Sequence, residues 1–250
     1  MRYEQDFISK VYSAVCSHDG VTAREIAREL GVKRKDVNQV LYGESFVRDL
    51  CYCDEDYRWH GLIRQAYPHE GIYDFSGWYG TVRELRSQSE NGWLAELEDG
   101  CRRIGRNLNN ERGLLHSFTD ARLVMLELFH CLQSRLVDCD NWETCFELRI
   151  KREKWVRIYA DTLVIAPGHA FSLEFKMKDE VDQAEVDQAA KYTPYLSVLL
   201  GPEVEVIPAL ILTRAEGLYS HVLAADGNTV TVASREMLLN VFDEELCFLG

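Results

Sequence analysis

Two carboxylates and a lysine stand within the segment Asp161–Lys176, which reads DTLVIAPGHAFSLEFK. Two apolar runs flank the breaker pair Pro167-Gly168, and this pattern predicts a β-hairpin. Asp161 precedes that pair by six residues and Glu174 follows it by six, so the hairpin places them opposite each other. Because strand side chains alternate, Lys176 lies on the same side as Glu174. Such carboxylates bind Mg²⁺ or Mn²⁺, and a nearby cation can stabilise a phosphoryl transition state.

The elements around the hairpin decide whether these charges are catalytic or solvated. An edge hairpin often carries an acid and a lysine on its wet face, and E-x-K alone is a weak signal. Here the strand FSLEFKM is apolar at both parities, which predicts a strand covered on both faces. Charges on such a strand need a reason, because burying them unpaired is costly. An apolar helix, ARLVMLELFHCLQSR (121–135), precedes the hairpin, and a helix containing QAAKY follows it.

The order helix, three strands, helix, strand, with D…E-x-K on the second and third strands, resembles the PD-(D/E)xK nuclease superfamily. The resemblance covers roughly residues 115–245 and implies an α/β, restriction-endonuclease-like core with a mixed sheet. It implies that Asp161 and Glu174 are catalytic metal ligands and that Lys176 is the catalytic lysine. Ala160 stands where the superfamily nominally has a proline, which is frequently missing.

Two further elements of the superfamily have counterparts in this chain. Gln188 and Tyr192, in the pattern Q-x-x-x-Y, are similar to the helix motif of the RecB-type exonuclease branch. The resemblance implies that they brace the site or contact DNA. Glu127, an isolated acid in the apolar helix, matches the carboxylate that some members use as an additional metal-site residue. The implied cofactor is Mg²⁺ or Mn²⁺.

Residues 5–60 predict a small helical unit. QDFISKVYSAVCSH places apolar residues at helical spacing. Thr22 and Glu25 form a capping box that begins a second helix, and Gly31 ends it. A third helix begins at Lys33-Arg34-Lys35, and FVRDLCYCDEDYRWH alternates as a two-stranded ribbon. Three helices and a ribbon predict a winged helix, whose third helix normally enters the DNA major groove.

The third helix and the ribbon resemble the branch of winged helices that binds Z-form nucleic acid. The positions matching the residues that contact the backbone in that family are Arg34, Lys35, Asn38, Tyr42 and Trp59. The family's wing prolines are absent, and the acidic run Asp54-Glu55-Asp56 stands there instead. Trp59 as a core residue is the alternative for that position. Two roles stay open for the unit: protein interaction, or nucleic-acid binding through Lys33, Arg34, Lys35, Asn38 and Tyr42.

Charge and cysteine content bear on partners and compartment. The chain has 250 residues and a net charge of −13, which argues weakly against nucleic acid because phosphate binding needs positive charge. Basic residues are clustered, however, at the third helix, at residues 102–106 and at residues 149–157. The eight cysteines include no C-x-x-C pair, so we expect reduced thiols in the cytoplasm. No apolar run reaches the roughly 18–20 residues of a membrane span, and no membrane partner is expected.

These patterns predict three regions: a winged helix at 1–64, a helical linker region at 65–114 and a nuclease-like domain at 115–250. Strands of the last region are expected near 145–151, 156–166, 170–177 and 204–213, with 229–233 flanking them and a closing helix over 235–242. The tryptophans of the middle region could stack bases, although core packing is the usual role of such residues.

The sequence thus predicts a Mg²⁺-dependent deoxyribonuclease that hydrolyses phosphodiester bonds, with RNA as the alternative substrate. Exonuclease or endonuclease activity, and a role in phage defence, repair or mobile-element processing, stay open. The alternative function is a non-catalytic nucleic-acid-binding or regulatory subunit of a larger complex, built on a nuclease-like fold. A homodimer or a protein partner is compatible with both.

Overall fold

The computed structural model describes residues 5–18, 20–44, 47, 51–54, 56–61, 70–106, 108, 112–152 and 157–247. The α-helices in these ranges are α1 (Gln5–Ser17), α2 (Ala23–Glu29), α3 (Arg34–Gly43), α4 (Glu70–Tyr73), α5 (Val82–Ser87), α6 (Glu90–Arg103), α7 (Arg112–Ser134), α8 (Gln183–Lys191), α9 (Thr193–Leu200) and α10 (Leu238–Leu246). The strands are β1 (Val21–Thr22), β2 (Cys51–Cys53), β3 (Arg58–Gly61), β4 (Trp78–Thr81), β5 (Glu143–Arg152), β6 (Arg157–Ala166), β7 (His169–Lys176), β8 (Glu205–Leu212), β9 (Tyr219–Leu223) and β10 (Thr229–Ser234). A 3₁₀ turn, Arg235–Met237, precedes α10. Within this described part of the chain, none of the helices combines the length and the hydropathy needed to cross a bilayer.

The N-terminal elements are three helices and a small antiparallel sheet of order β1-β3-β2. The predicted capping box is present: the Thr22 side chain accepts from the Glu25 amide, and the Glu25 carboxylate accepts from the Thr22 amide at 2.8 Å. Trp59 on β3 is buried and meets Tyr42 of α3 edge-on, with 5.0 Å between ring centroids. This aromatic pair joins α3 to the β-ribbon.

A seven-stranded mixed sheet of order β4-β5-β6-β7-β8-β10-β9 forms the centre of the chain, so the prediction of a mixed α/β chain is confirmed. The strands β4 to β7 are mutually antiparallel. Then β8 pairs parallel with both β7 and β10, and β9 pairs antiparallel with β10. The helices α8 and α9 make the crossover from β7 to β8, as parallel neighbours require.

The N-terminal elements share a core with the sheet. Helix α1 packs against α9, where the Ser9 hydroxyl donates to the Ser197 carbonyl at 3.4 Å. Buried side chains of α1, α9 and β6, such as Val15, Leu196 and Leu163, belong to one continuous apolar cluster. The predicted boundary at residue 64 therefore separates two groups of elements that pack directly on each other.

The region expected as a helical linker contributes to the sheet. Its strand β4 pairs with β5 at the sheet edge, so the boundary at 114/115 cuts through the central sheet. Helix α6 lies so close to β4 that a Cβ on Gly100 would be 1.8 Å from the Gly77 carbonyl oxygen, which only glycine allows. Trp78 and Trp93 are buried in the core beside this contact. They are core residues, and the base-stacking role considered for them is wrong.

The segment after the hairpin forms two helices where the sequence predicted one. Pro194 lies in the first turn of α9, and α8 ends at the residue before Tyr192. A proline lacks the amide hydrogen that helix continuation needs, and its ring clashes with the preceding turn. The Tyr192 carbonyl then accepts from the amides of Tyr195 and Leu196 at 3.1 and 3.0 Å, which starts α9 in a new direction.

Candidate active site

The hairpin of β6 and β7 forms as predicted. Pro167 and Gly168 make a two-residue turn, with Gly168 at a φ of +76° that glycine adopts without strain. The register runs from Ala166 opposite His169 to Thr162 opposite Leu173, and its next step opposes Asp161 to Glu174. The Phe175 amide donates to Asp161 Oδ2 at 3.0 Å, so the aspartate reaches across to β7.

A cavity of about 620 Å³ opens beside these two strands, between them and α8. The ionisable and amide side chains that line it include Arg106, Asp161, Glu174, Lys176, Gln188 and Lys191. The structure thus brings the predicted catalytic acids, the predicted lysine and the predicted helix residue to one place, together with Tyr192.

Glu174 is the centre of the hydrogen bonds in the cavity. Its Oε1 accepts from Lys176 Nζ at 2.7 Å and from Gln188 Nε2 at 2.6 Å. Gln188 Nε2 also contacts the Tyr192 hydroxyl at 2.9 Å, and that tyrosine is buried. The Q-x-x-x-Y pair therefore braces Glu174 from α8. In contrast, Glu174 Oε2 is buried and has no hydrogen-bond partner within the described residues.

The surroundings shift the pKa values of Asp161, Glu174 and Lys176. Burial and the neighbouring Asp161 raise the pKa of Glu174 to about 8, against the opposing effect of Lys176. Burial also raises the pKa of Asp161, although the Phe175 amide and Lys176 act against it. For Lys176, burial works to lower the pKa, but Glu174 and Asp161 outweigh it, and the pKa is raised. The cavity therefore holds the protonated Lys176 beside two acids. The positive charge of Lys176 does not fully offset the cost of burying their ionised forms.

This donor set fits a divalent cation. Mg²⁺ and Mn²⁺ prefer carboxylate oxygens, and Asp161 and Glu174 present them side by side on neighbouring strands. A buried carboxylate oxygen without a partner is costly, and Glu174 Oε2 is such an atom. A cation bound there would satisfy this oxygen and offset the charge that burial disfavours.

Two residues that the sequence did not lead us to assign to the site adjoin it, namely Glu147 and Arg106. Phe146 opposes Thr162 and Leu148 opposes Ala160, so Glu147 stands at the register position opposite Asp161. Glu147 is 2% exposed, and its Oε2 lies 2.9 Å from Arg106 Nε. The signal was present in the sequence, because CFELRI is another apolar strand that carries an acid.

Glu127 is not brought to the cavity. It lies on the outer side of α7, half exposed, and makes a two-pronged contact with Arg235 at 2.8 and 2.5 Å. The assignment of Glu127 to the metal site, which the resemblance to the nuclease superfamily implied, is therefore not supported by its position. The ion pair ties α7 to the turn before α10 instead.

A second group of ligand-type side chains lies at the other end of β7. His169, Glu205 and Glu245 place one ligand atom each within 4.8 Å of one another, on partly and fully exposed positions. His169 begins β7 whereas Glu174 stands near its end, so this group is separate from the cavity. Exposed acids assemble in this way without an ion, and the group carries no assignment.

The predicted nucleic-acid contacts of the N-terminal unit line a surface groove. Arg34, Lys35, Asn38 and Tyr42 border a groove of about 770 Å³ along α3, and Lys33 is the exposed residue that precedes the helix. Trp59 is 4% exposed and packs as a core residue beneath Tyr42.

At the acidic tip of the ribbon, Asp54 is hydrogen-bonded by groups of the ribbon itself. Asp54 accepts from the amides of Asp56 and Arg58 at 3.0 and 2.8 Å and contacts His60 Nε2 at 3.0 Å. These bonds, the one to His60 first, lower the pKa of Asp54. Asp54 therefore stabilises the turn of the ribbon through these hydrogen bonds. Glu55 lies outside the described residues.

Comparison with known proteins assigns the chain to no family, because neither a protein-family model nor a curated protein matches it.

Proposed function

We propose that this chain is a metal-dependent nuclease of the PD-(D/E)xK type, with its active centre in the cavity beside β6 and β7. One observation carries the proposal. Asp161, Glu174 and Lys176 converge on a single cavity, where Glu174 keeps one buried oxygen without a partner. That arrangement costs stability in the isolated chain, and a bound cation with a phosphate substrate would give it a purpose.

Asp161 and Glu174 would hold Mg²⁺ or Mn²⁺. When bound, the cation would generate a nucleophilic water near neutral pH and offset charge on the phosphodiester. Lys176 is held at 2.7 Å from Glu174 and keeps its proton across the physiological range, since its pKa is raised. Its ammonium is therefore fixed where negative charge develops during phosphoryl transfer, and it needs no reorganisation in the transition state.

Gln188 and Tyr192 have a positioning role. Gln188 donates to Glu174 Oε1, which leaves Oε2 as the oxygen directed away from the brace. Tyr192 lies at the break between α8 and α9, where Pro194 fixes the backbone. A hydrogen bond from a residue behind the ligand, such as this one, orients a metal-ligating carboxylate.

The order of elements supports a restriction-endonuclease-like core. The long helix α7 precedes three antiparallel strands, β5 to β7, and the α8–α9 crossover leads to the parallel strand β8. This is the order that the sequence pattern led us to expect for the superfamily. Sheet topology alone is compatible with other functions, so the residues in the cavity carry the assignment.

We further propose that the N-terminal elements form a winged helix that binds nucleic acid through α3. Arg34 and Lys35 are exposed along the groove, and Tyr42 is 50% exposed beside them. Exposed cations attract phosphate, and an accessible aromatic ring can stack on a base or a sugar. DNA is the proposed partner, with RNA as the alternative.

A second candidate function is a non-catalytic nucleic-acid-binding or regulatory subunit. One observation favours it: Lys176 and Gln188 both bind Glu174 Oε1 and partly compensate this carboxylate without a cation. In that case the cavity is a structural polar network, and only the α3 groove acts on nucleic acid.

Cleavage assays separate the two functions. Linear and circular DNA, single-stranded DNA and RNA are incubated with the purified chain, with and without Mg²⁺ or Mn²⁺. We expect metal-dependent cleavage that Asp161→Ala abolishes. The control is Asp187→Ala, because Asp187 lines the same cavity but accepts from Gln183 and from the Ala225 amide. Binding without cleavage under every condition would favour the non-catalytic subunit.

A further inference from the structure

Arg106, which lines the cavity, is the last residue of a helix cap. After α6, Gly105 has a φ of +75°, its amide donates to the Arg102 carbonyl at 3.1 Å, and the Arg106 amide donates to the Cys101 carbonyl at 2.8 Å. These two bonds define a Schellman cap. The Arg149 guanidinium adds a bond to the Ile104 carbonyl at 2.9 Å. The backbone of Arg106 is thus fixed before its side chain enters the cavity.

The Arg106 side chain is also held, but only along one side. Its Nε lies 2.9 Å from Oε2 of the buried Glu147, and its guanidinium lies over the Tyr159 ring at 4.7 Å from the centroid. The contact with Glu147 is a close ion pair that lacks hydrogen-bond alignment. No described residue accepts a hydrogen bond from the two terminal nitrogens, Nη1 and Nη2. Among the described residues, the donor pair that suits a phosphate is therefore unused.

The other cations of the cavity are less suited to a fixed phosphate. Lys176 is engaged with Glu174, and Lys191 is exposed at the rim. Arg106 is 28% exposed at its side chain and stacks on an aromatic ring, which limits its rotamers. A guanidinium is always protonated and binds phosphate oxygens in a two-pronged geometry.

We propose that Arg106 is a phosphate-binding residue of the cavity. It binds the phosphodiester that neighbours the cleaved phosphodiester on the same nucleic-acid strand. Glu147 and Tyr159 are its positioning residues: the acid anchors Nε, and the ring supports the guanidinium plane. The inference rests on the proposed nuclease function for the identity of the ligand. It goes beyond that function because it names the group that fixes the strand in the cavity and a residue about 55 positions before Asp161.

Binding without cleavage tests the inference directly. A short fluorescein-labelled thymidine oligonucleotide is titrated with the full chain in EDTA, and fluorescence anisotropy gives Kd over a range of salt concentrations. We expect Arg106→Ala to raise Kd about tenfold to a hundredfold, since it removes charge-assisted hydrogen bonds. The slope of log Kd against log salt should flatten by about 0.7, which corresponds to one phosphate contact on a single strand. Arg106→Lys, which keeps the charge but not the planar donor pair, should also weaken binding.

Two further variants separate binding from folding. Arg106→Ala removes the guanidinium from its ion pair with the buried Glu147, so we pair it with the double variant Arg106→Gln with Glu147→Gln, which removes both charges. The double variant should have the same melting temperature as wild type. Its affinity for the oligonucleotide should nevertheless be reduced, as in Arg106→Ala. Arg102→Ala is the control, because Arg102 belongs to the same helix end but pairs with Asp99 at the surface.

The outcomes distinguish this inference from the nuclease proposal. If the folded Arg106 variants bind the oligonucleotide as tightly as Arg102→Ala, the phosphate site is wrong, even where wild type cleaves DNA. If wild type cleaves nothing with Mg²⁺ but the Arg106 variants lose affinity, the phosphate site stands and the nuclease proposal falls. Equal affinity in all variants together with an absence of cleavage overturns both.

Discussion

The cavity beside β6 and β7 and the groove along α3 both present cations, but they hold them differently. In the cavity, Lys176 is 24% exposed and contacts an acid that is 2% exposed. Along the groove, Arg34 and Lys35 are exposed to solvent. Charges in a desolvated site interact strongly and keep a fixed geometry, whereas exposed charges are screened by salt.

This difference implies a division of labour. Fixed, buried charges suit a reaction, because they stabilise a transition state without reorganising. Exposed cations suit the capture of a polyanion, because counterion release drives such binding and makes it depend on salt. Substitutions in the cavity should therefore change the rate of cleavage, and substitutions in the groove should change affinity.

After the loss of cleavage expected for Asp161→Ala, the largest effect is expected at Lys176. Lys176→Ala removes the fixed ammonium, and kcat for Mg²⁺-dependent cleavage should fall by about 10²-fold or more, since one transition-state donor is typically worth that much. Substrate affinity should change little. Lys191→Ala is the matched control, because Lys191 lines the same cavity at its exposed rim. A comparable loss of kcat in both variants would mean that cleavage depends on the total positive charge of the cavity and not on the position of the Lys176 ammonium.

The second prediction concerns pH and stability without metal. Burial raises the pKa of Glu174 from 4.5 to about 8. Between these values the unfolded chain is ionised while the folded chain keeps the proton, so the free energy of unfolding falls as pH rises from about 4.5 to about 8. Glu174→Gln removes this loss, and we expect it to stabilise the chain by roughly 2–4 kcal/mol above about pH 8 and by little near pH 4.5.

Urea unfolding of both proteins in EDTA measures this difference. Saturating Mg²⁺ should then narrow it, because the cation stabilises only the protein that binds it. A stabilisation of Glu174→Gln that is the same at every pH would show that the carboxylate is not strained by burial, and the comparison with the groove would lose its basis.

The third prediction tests the brace from α8. Gln188→Ala removes the donor to Glu174 Oε1, and cleavage at limiting Mg²⁺ should fall by about tenfold to a hundredfold, as for other residues that support metal ligands. Raising the Mg²⁺ concentration should restore part of the activity, because the defect lies in metal affinity. An unchanged metal dependence would remove Gln188 from the site. Gln183→Ala serves as the control on the same helix, since Gln183 bonds to Asp187.

The smallest effect on chemistry is expected in the groove. Charge reversal of Lys33, Arg34 and Lys35 to glutamate should weaken binding to duplex DNA and flatten the salt slope by up to about 2.7, because each lost phosphate contact contributes about 0.9. At saturating substrate the cleavage rate should survive. If affinity and slope stay unchanged, the N-terminal elements contact protein and do not bind nucleic acid.

The sequence predicted those features that depend on local spacing. The Pro167-Gly168 turn and the alternation of the strands fix the positions of Asp161, Glu174 and Lys176 within one hairpin. The capping box at Thr22 and Glu25 is equally local, and it forms as expected. Local patterns are informative here because the partners are joined by a few residues of chain whose geometry is restricted.

The features that were missed depend on contacts between distant segments. Arg106 reaches the cavity because a Schellman cap with Gly105 follows α6 and turns the chain. Glu147 is placed by the pairing of β5 with β6. Glu127 had the expected residue type on the expected helix, but its partner is Arg235, which is 108 positions away. No spacing rule reports such pairs, since they arise when helices and strands pack.

Metal binding at the cavity tests the central claim most directly. Mg²⁺ and Mn²⁺ are titrated calorimetrically into wild type and into Asp161→Asn, in buffers of different ionisation enthalpy so that proton release is measured. The account predicts that wild type binds the cation and releases a proton near neutral pH, because the raised pKa of Glu174 leaves a proton to displace. Asp161→Asn should lose this binding. Equal binding by the two proteins, or none by wild type, would contradict the assignment of the cavity as a metal-dependent active site.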